Sequence, residues 1–326
     1  MIPPFIPRRG LSNGHLMTVF AWARRRAYPG LPESTSELFA LSDGASVLAE
    51  CRWQADAAAR PTLLALHGLE GSSDVHYMRG LAHKAWRRGW NAVLLNQRNC
   101  GGTEGLSERL YHSGLTGDPH AVLRALAARG LTRFGVAGYS LGGNLTLKLA
   151  GELGSAPDVP VRAVAAVCPT IDLDLCVRAI ERRSNFGYHW NFVRNLKARL
   201  KRMAVQWPGR FDIGPLQDVS TIRAFDEVYT SRHHGFDGAS DYYHRASALR
   251  VVDQIRMPAL IIAAEDDPVV PPSQYRDVAV TSNASITTSI WPHGGHCGFI
   301  ADPGPNDDGY WAETTAIEFL APYLER

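Results

Sequence analysis

A mostly parallel α/β sheet with helices on both faces, plus a helical segment inserted late in the chain, is the fold class predicted by this sequence of 326 residues. Three observations predict it. Short, mainly apolar runs at 62–66, 92–95, 133–137, 161–167 and 259–264 have the length and character of buried strands, and 286–291 reads as a further strand. Helix-period segments alternate with the first of these runs. From about Thr170 to Arg250 the alternation stops, and no strand-like run interrupts an aromatic and basic stretch.

Taken in order, 62–66 is the first strand, and it runs into the loop His67-Gly68-Leu69-Glu70-Gly71. Met78, Leu81, Ala82, Ala85 and Trp86 then recur at helical spacing, with Asp74 upstream as a cap and Gly89 as a stop. After the strand at 92–95, Asp118-Pro119 opens a second helix with Ala121, Val122, Ala125 and Leu126 on one face and Gly130 at its end. The strand at 133–137 leads into Gly138-Tyr139-Ser140-Leu141-Gly142, and Leu141, Leu145, Leu149 and Leu153 repeat on one face of the helix that follows. Within the insertion, Phe192, Val193, Leu196, Leu200 and Met203 form an apolar stripe. Arg194, Lys197, Arg199, Lys201 and Arg202 back it as a solvated basic face, with contact to an anionic lipid surface as the alternative. The expected organisation is a core of 1–169 and 250–326 with a helical lid at 170–249.

Strand, sharp turn and helix around Gly-x-Ser-x-Gly form a nucleophile elbow, which exposes the hydroxyl of Ser140 at a strand end. A serine hydroxyl is a weak nucleophile and needs a base with a group to orient it. The strand at 259–264 ends in Glu265-Asp266-Asp267-Pro268, and the strand at 286–291 ends in Pro292-His293-Gly294-Gly295-His296-Cys297-Gly298. Asp267, directly before Pro268-Val269-Val270-Pro271, is the candidate acid, with Asp266 the alternative. His296, set between small residues, is the candidate base, with His293 the alternative. The order Ser, Asp, His along the chain is that of α/β-hydrolases. For the charge that develops on a carbonyl oxygen, the expected donors are the backbone N–H groups of Leu69 and Leu141. His67 is expected to hold its loop rather than to act as a base.

Composition bounds the rest. With 45% hydrophobic and 20% charged residues the chain can bury a large core, and its net charge of +2 gives no reason to expect a nucleic-acid partner. Cys51, Cys100, Cys168, Cys176 and Cys297 show no C-x-x-C spacing, so neither a disulfide framework nor a zinc site is expected, and a reducing compartment fits. His233, His234 and His244 lack ligand spacing and read as surface residues. With no signal-peptide pattern and no bilayer-length apolar run, the expected location is the cytoplasm.

Several motifs together resemble the YheT-like α/β-hydrolases: Asn13-Gly14-His15-Leu16-Met17-Thr18, the loop from His67 to Ser73, His112-Ser113-Gly114, Gly138 to Asn144, Asp266-Asp267-Pro268 and Gly294 to Phe299. The resemblance also covers Gly235-Phe236, Tyr242-Tyr243 and Ser247. It implies an α/β-hydrolase fold and a Ser-Asp-His esterase or lipase-like hydrolase of carboxylic esters, acyl lipids included, with no metal or organic cofactor. An acyltransferase or thioesterase on the same scaffold is the rival, because an acyl-enzyme can be intercepted by acceptors other than water. At one position the chain departs from the family: its Asn-x-Arg-Gly loop stands here as Asn96-Gln97-Arg98-Asn99. That departure bears on loop shape, and through it on substrate, rather than on the triad.

Overall fold

The computed structural model describes residues 2–305 and 307–325. Eight strands form one sheet: β1 (Thr35–Ala40), β2 (Ser46–Arg52), β3 (Thr62–Leu66), β4 (Asn91–Leu95), β5 (Phe134–Tyr139), β6 (Val161–Val167), β7 (Ala259–Ala264) and β8 (Ile286–Trp291), in the order β1-β2-β4-β3-β5-β6-β7-β8. From β4 through β8 every pairing is parallel, whereas β2 lies antiparallel to both β1 and β4. Alternation along the central strands divides two cores. Leu63 and Ala65 of β3 and Leu260 and Ile262 of β7 face one side, while Leu64, Leu66, Ala259 and Ile261 face the other.

The helices that cover these faces are α1 (Gly14–Ala23), α2 (His76–Arg87), α3 (Gly117–Ala128) and α4 (Leu141–Leu153), followed by α5 (Leu173–Ile180), α6 (Phe186–Gln206), α7 (Ile222–Phe225), α8 (Ser231–His234), α9 (Ala239–Ala246), α10 (Val278–Thr281) and α11 (Trp311–Leu324). Side chains of α1, α2 and α11 join the first core, and those of α3 and α4 join the second. The helix expected around Met78 is present, but its N-cap is Val75 and not Asp74, and no side chain caps it. On α4 burial is not confined to the leucine face: everything from Leu141 to Gly151 is buried, because this helix is packed between the sheet and the segment that follows β6.

Between β6 and β7 the chain is helical, from α5 to α9, with a π-turn at Asp226–Thr230 joining α7 to α8. The stripe of α6 is buried at Val193, Leu196, Leu200 and Met203. Two expectations there need correction. Arg199 is not on a solvated face; only 2% of its side chain is exposed, since α6 turns that edge toward the core and Glu70 awaits it. His234 is not a surface residue either: its Nε2 lies 2.7 Å from the carbonyl oxygen of Leu110 and its ring packs edge-on against His112.

Candidate active site

The elbow follows from local sterics. Ser140 ends β5 and caps α4 with φ +53°, a backbone conformation that L-residues adopt only under constraint. The residues two before it and two after it must be glycine. A Cβ on Gly138 would strike the carbonyl of Gly142, and one on Gly142 would strike the carbonyl of Leu66. The turn is thereby pressed against the end of β3, and Ser140 faces the loop that β3 feeds.

Two other strand ends converge on it. The Oγ of Ser140 lies 3.0 Å from Nε2 of His296, whose Nδ1 lies 2.9 Å from Oδ2 of Asp267. The other oxygen of Asp267 accepts the N–H groups of Val269 and Val270 at 2.8 and 2.9 Å, so the carboxylate is oriented before it meets the imidazole. With a carboxylate at Nδ1, that nitrogen carries the proton and Nε2 is left to accept from the serine hydroxyl. Burial by itself would depress the His296 imidazolium, but the charge and hydrogen bond of Asp267, with help from Cys168, carry it upward.

The alternative residues stand beside this chain rather than in it. Oδ1 of Asp266 accepts the N–H of Gly295 at 2.9 Å, and its Oδ2 lies 3.3 Å from Nδ1 of a partly exposed His293. Asp266 thus holds the loop that presents His296. His67 is fully buried, with Nδ1 2.8 Å from the carbonyl of Gly68 and Nε2 accepting the N–H of Gln97 at 3.1 Å. Burial brings its pKa down to about 4, which keeps the ring neutral.

The loop after β3 sorts its own amides. Gly68 donates its N–H to the Tyr77 hydroxyl at 2.9 Å and Glu70 donates its own to the Tyr111 hydroxyl at 3.0 Å. Between them, the N–H of Leu69 has no partner among the described residues, and neither does that of Leu141 at the open first turn of α4. Leu69, Leu141 and Ser140 all line one cavity, walled elsewhere by Leu173, Val177, Phe192 and Leu196 of α5 and α6.

Some contributors carried no readable chemistry. Thr18 on α1 accepts the N–H of His296 at 2.8 Å, and α1 packs so closely that a Cβ on Gly14 would strike the carbonyl of Asp266. Asn144, directly after the elbow, donates to the carbonyls of Ser113 and Ala246 at 3.0 and 2.9 Å and accepts the N–H of Ala248 at 2.8 Å. Only their presence in shared motifs marks them. Cys168 and Cys297 meet beside His296, with ligating atoms of all three within 4.8 Å of one another; the five cysteines are free thiols. No C-x-x-C spacing could announce a pair brought together from two strand ends. Asn99 takes φ +59°, the left-handed conformation that glycine supplies in the family loop and that asparagine tolerates. Arg98 of that loop lies buried between Asp118 and Asp43, at 2.6 Å from each.

The profile of the alpha/beta hydrolase fold matches residues 61–303. YheT of Escherichia coli (strain K12) is 35% identical over 325 residues, covering 98% of this chain and 94% of its own. The chain belongs to the YheT-like α/β-hydrolase family. Phospholipase ABHD3 of Mus musculus is 27% identical to this hydrolase over 309 residues, 90% of this chain and 75% of the relative. Among solved structures, the Pyrococcus furiosus esterase Pf2001 superposes with a TM-score of 0.56 at 14% identity, covering 99% of both chains, a likeness of fold alone. Among the described residues, no helix of this α/β-hydrolase is long and apolar enough to cross a membrane.

Proposed function

We propose that this hydrolase cleaves carboxylic esters, acyl lipids among them, through an acyl-enzyme on Ser140. The observation that carries the reading is the unbroken hydrogen-bonded chain Ser140, His296, Asp267 beside the open amides of Leu69 and Leu141. In the first half-reaction Oγ of Ser140 attacks the ester carbonyl carbon while Nε2 of His296 takes its proton. Asp267 steadies the imidazolium and fixes its tautomer, and the N–H groups of Leu69 and Leu141 receive the oxyanion. The proton then passes to the departing alkoxide. Water repeats the sequence on the acyl-enzyme and releases the acid.

The segment 170–249 serves in this reading as a lid over a core of 1–169 and 250–326, and its apolar side chains in the cavity make room for an acyl chain. The relative named a phospholipase supports acyl lipids as substrates. Five free cysteines suit the reducing interior of a cell. The deciding experiment pairs p-nitrophenyl ester hydrolysis with labelling by a fluorophosphonate, which reacts only with an activated serine. The parent protein hydrolyses and is labelled, whereas Ser140→Ala loses both. Hydrolysis at the parent rate by Ser140→Ala would end the proposal.

A further inference from the structure

The cavity beside Ser140 is apolar on most of its wall, yet Arg199 lines it with its side chain 2% exposed. The guanidinium is only partly spoken for. Its Nε donates to Oε1 of Glu70 at 2.8 Å and its plane lies 4.5 Å from the centre of the Tyr111 ring, but its Nη1 is buried with no hydrogen-bond partner. Asp226, a carboxyl in the π-turn between α7 and α8 on the same wall, is by contrast fully engaged, accepting from Thr230 and Tyr243 at 2.7 Å each. A buried donor without an acceptor is costly, and it is conspicuous on a wall made mostly of apolar side chains.

Resting on the ester-hydrolase reading above, we propose that Nη1 of Arg199 binds a second oxygen of the substrate, a neutral carbonyl, ether or hydroxyl acceptor set apart from the scissile ester. Charge selects a neutral acceptor over an anionic one. The cation is already matched by Glu70, and Asp226 puts a carboxyl on the cavity wall, so an anionic group entering here would find the charge of Arg199 already balanced and a carboxyl on the same wall. A plain hydrocarbon chain would leave Nη1 unpaired, whereas an oxygen-bearing chain satisfies it. Thr170, whose N–H lies 3.3 Å from the carbonyl of Ser140, brings a second unpartnered buried polar group, its hydroxyl, to the cavity, so the polar capacity is not confined to one atom.

The test compares kcat/KM within matched sets. On the acyl side, p-nitrophenyl octanoate is set against the same ester with a keto oxygen walked carbon by carbon along the chain, and against an equally long chain that ends in carboxylate. On the alcohol side, hexyl octanoate is set against the octanoate of a glycol ether of equal length, which separates a second oxygen in the acid from one in the alcohol. At the best position the neutral oxygen raises kcat/KM about tenfold or more over the plain ester. In Arg199→Lys, which keeps a cation for Glu70 but lacks the second branch of the fork, that ratio falls toward unity. Ratios near unity in the parent at every position on both sides, a ratio unchanged in Arg199→Lys, or a carboxylate preferred over the keto group would each overturn the inference. If Arg199 only braces the Glu70 loop, plain and oxygenated esters lose rate by the same factor. The Ser140→Ala protein, run in parallel, separates this outcome from failure of the hydrolase reading itself.

Discussion

Asp266 and Asp267 are neighbours in sequence with different work to do in space. Asp267 meets the imidazole directly, and two amides clamp its free oxygen; Asp266 meets the backbone of the histidine loop. Asp267→Asn is expected to lose roughly 10⁴ in turnover, because an amide at that point favours the wrong tautomer of His296. Asp266→Asn keeps an oxygen for the N–H of Gly295 and should lose less than roughly tenfold. The same pair of proteins gives a pH test. Burial lowers the imidazolium pKa of His296 and Asp267, with help from Cys168, more than offsets it, so removing the carboxylate leaves burial opposed by Cys168 alone. The acid limb of kcat/KM therefore moves to lower pH in Asp267→Asn, and a limb that stays in place or rises would assign that ionisation to another group.

Strand ends and the turns between them are where the sequence was most transparent. The runs at β3 and β7 are legible to the residue because strands buried on both faces are apolar without interruption, β6 breaks that run only at the exposed Arg162, β8 is a half-wet edge strand read from its β-branched residues, and the elbow is legible because its glycines answer a steric demand. Gly142→Ala tests that demand. Its new Cβ meets the carbonyls of Leu66 and His67, which are backbone atoms that cannot rotate away, so chemical denaturation should show a loss of about 1–3 kcal/mol together with loss of activity. Less was legible at the sheet edge and in the insertion. β1 and β2 went unread because an outer strand with one wet face, such as the mostly exposed run 35–40, carries little apolar signal. The burial of Arg199 went unread for a different reason. Periodicity reports the charge on α6, whereas the buried partner, Glu70, lies 129 residues away in a loop.

Beyond any one site, the molecule buries many neutral imidazoles. Burial takes His67, His76 and His234 down to about 4 and His112 well below its ordinary value. Unfolded, each would take up a proton near pH ~6.5. Their contribution to stability is therefore complete above that value and is lost as pH falls toward about 4, on the order of 2 kcal/mol for His67 alone at pH ~5. His296 has the opposite sign, since its raised pKa favours the fold at low pH, but it is one group against four. Thermal unfolding should show Tm dropping by several degrees between about pH 7 and pH 5. A flat Tm over that window would mean the imidazoles are reached by protons without unfolding. Asn144 has a comparable reach, because its side chain spends both donors and its acceptor tying the helix after Ser140 to the loop at Ser113 and to the chain at Ala246 and Ala248. The roof over the Ser140 hydroxyl is accordingly pinned at Asn144 as well as through Arg199 on Glu70 and His234 on Leu110, so the height of that space is set by bonds to the core on several sides and not by the covering helices alone.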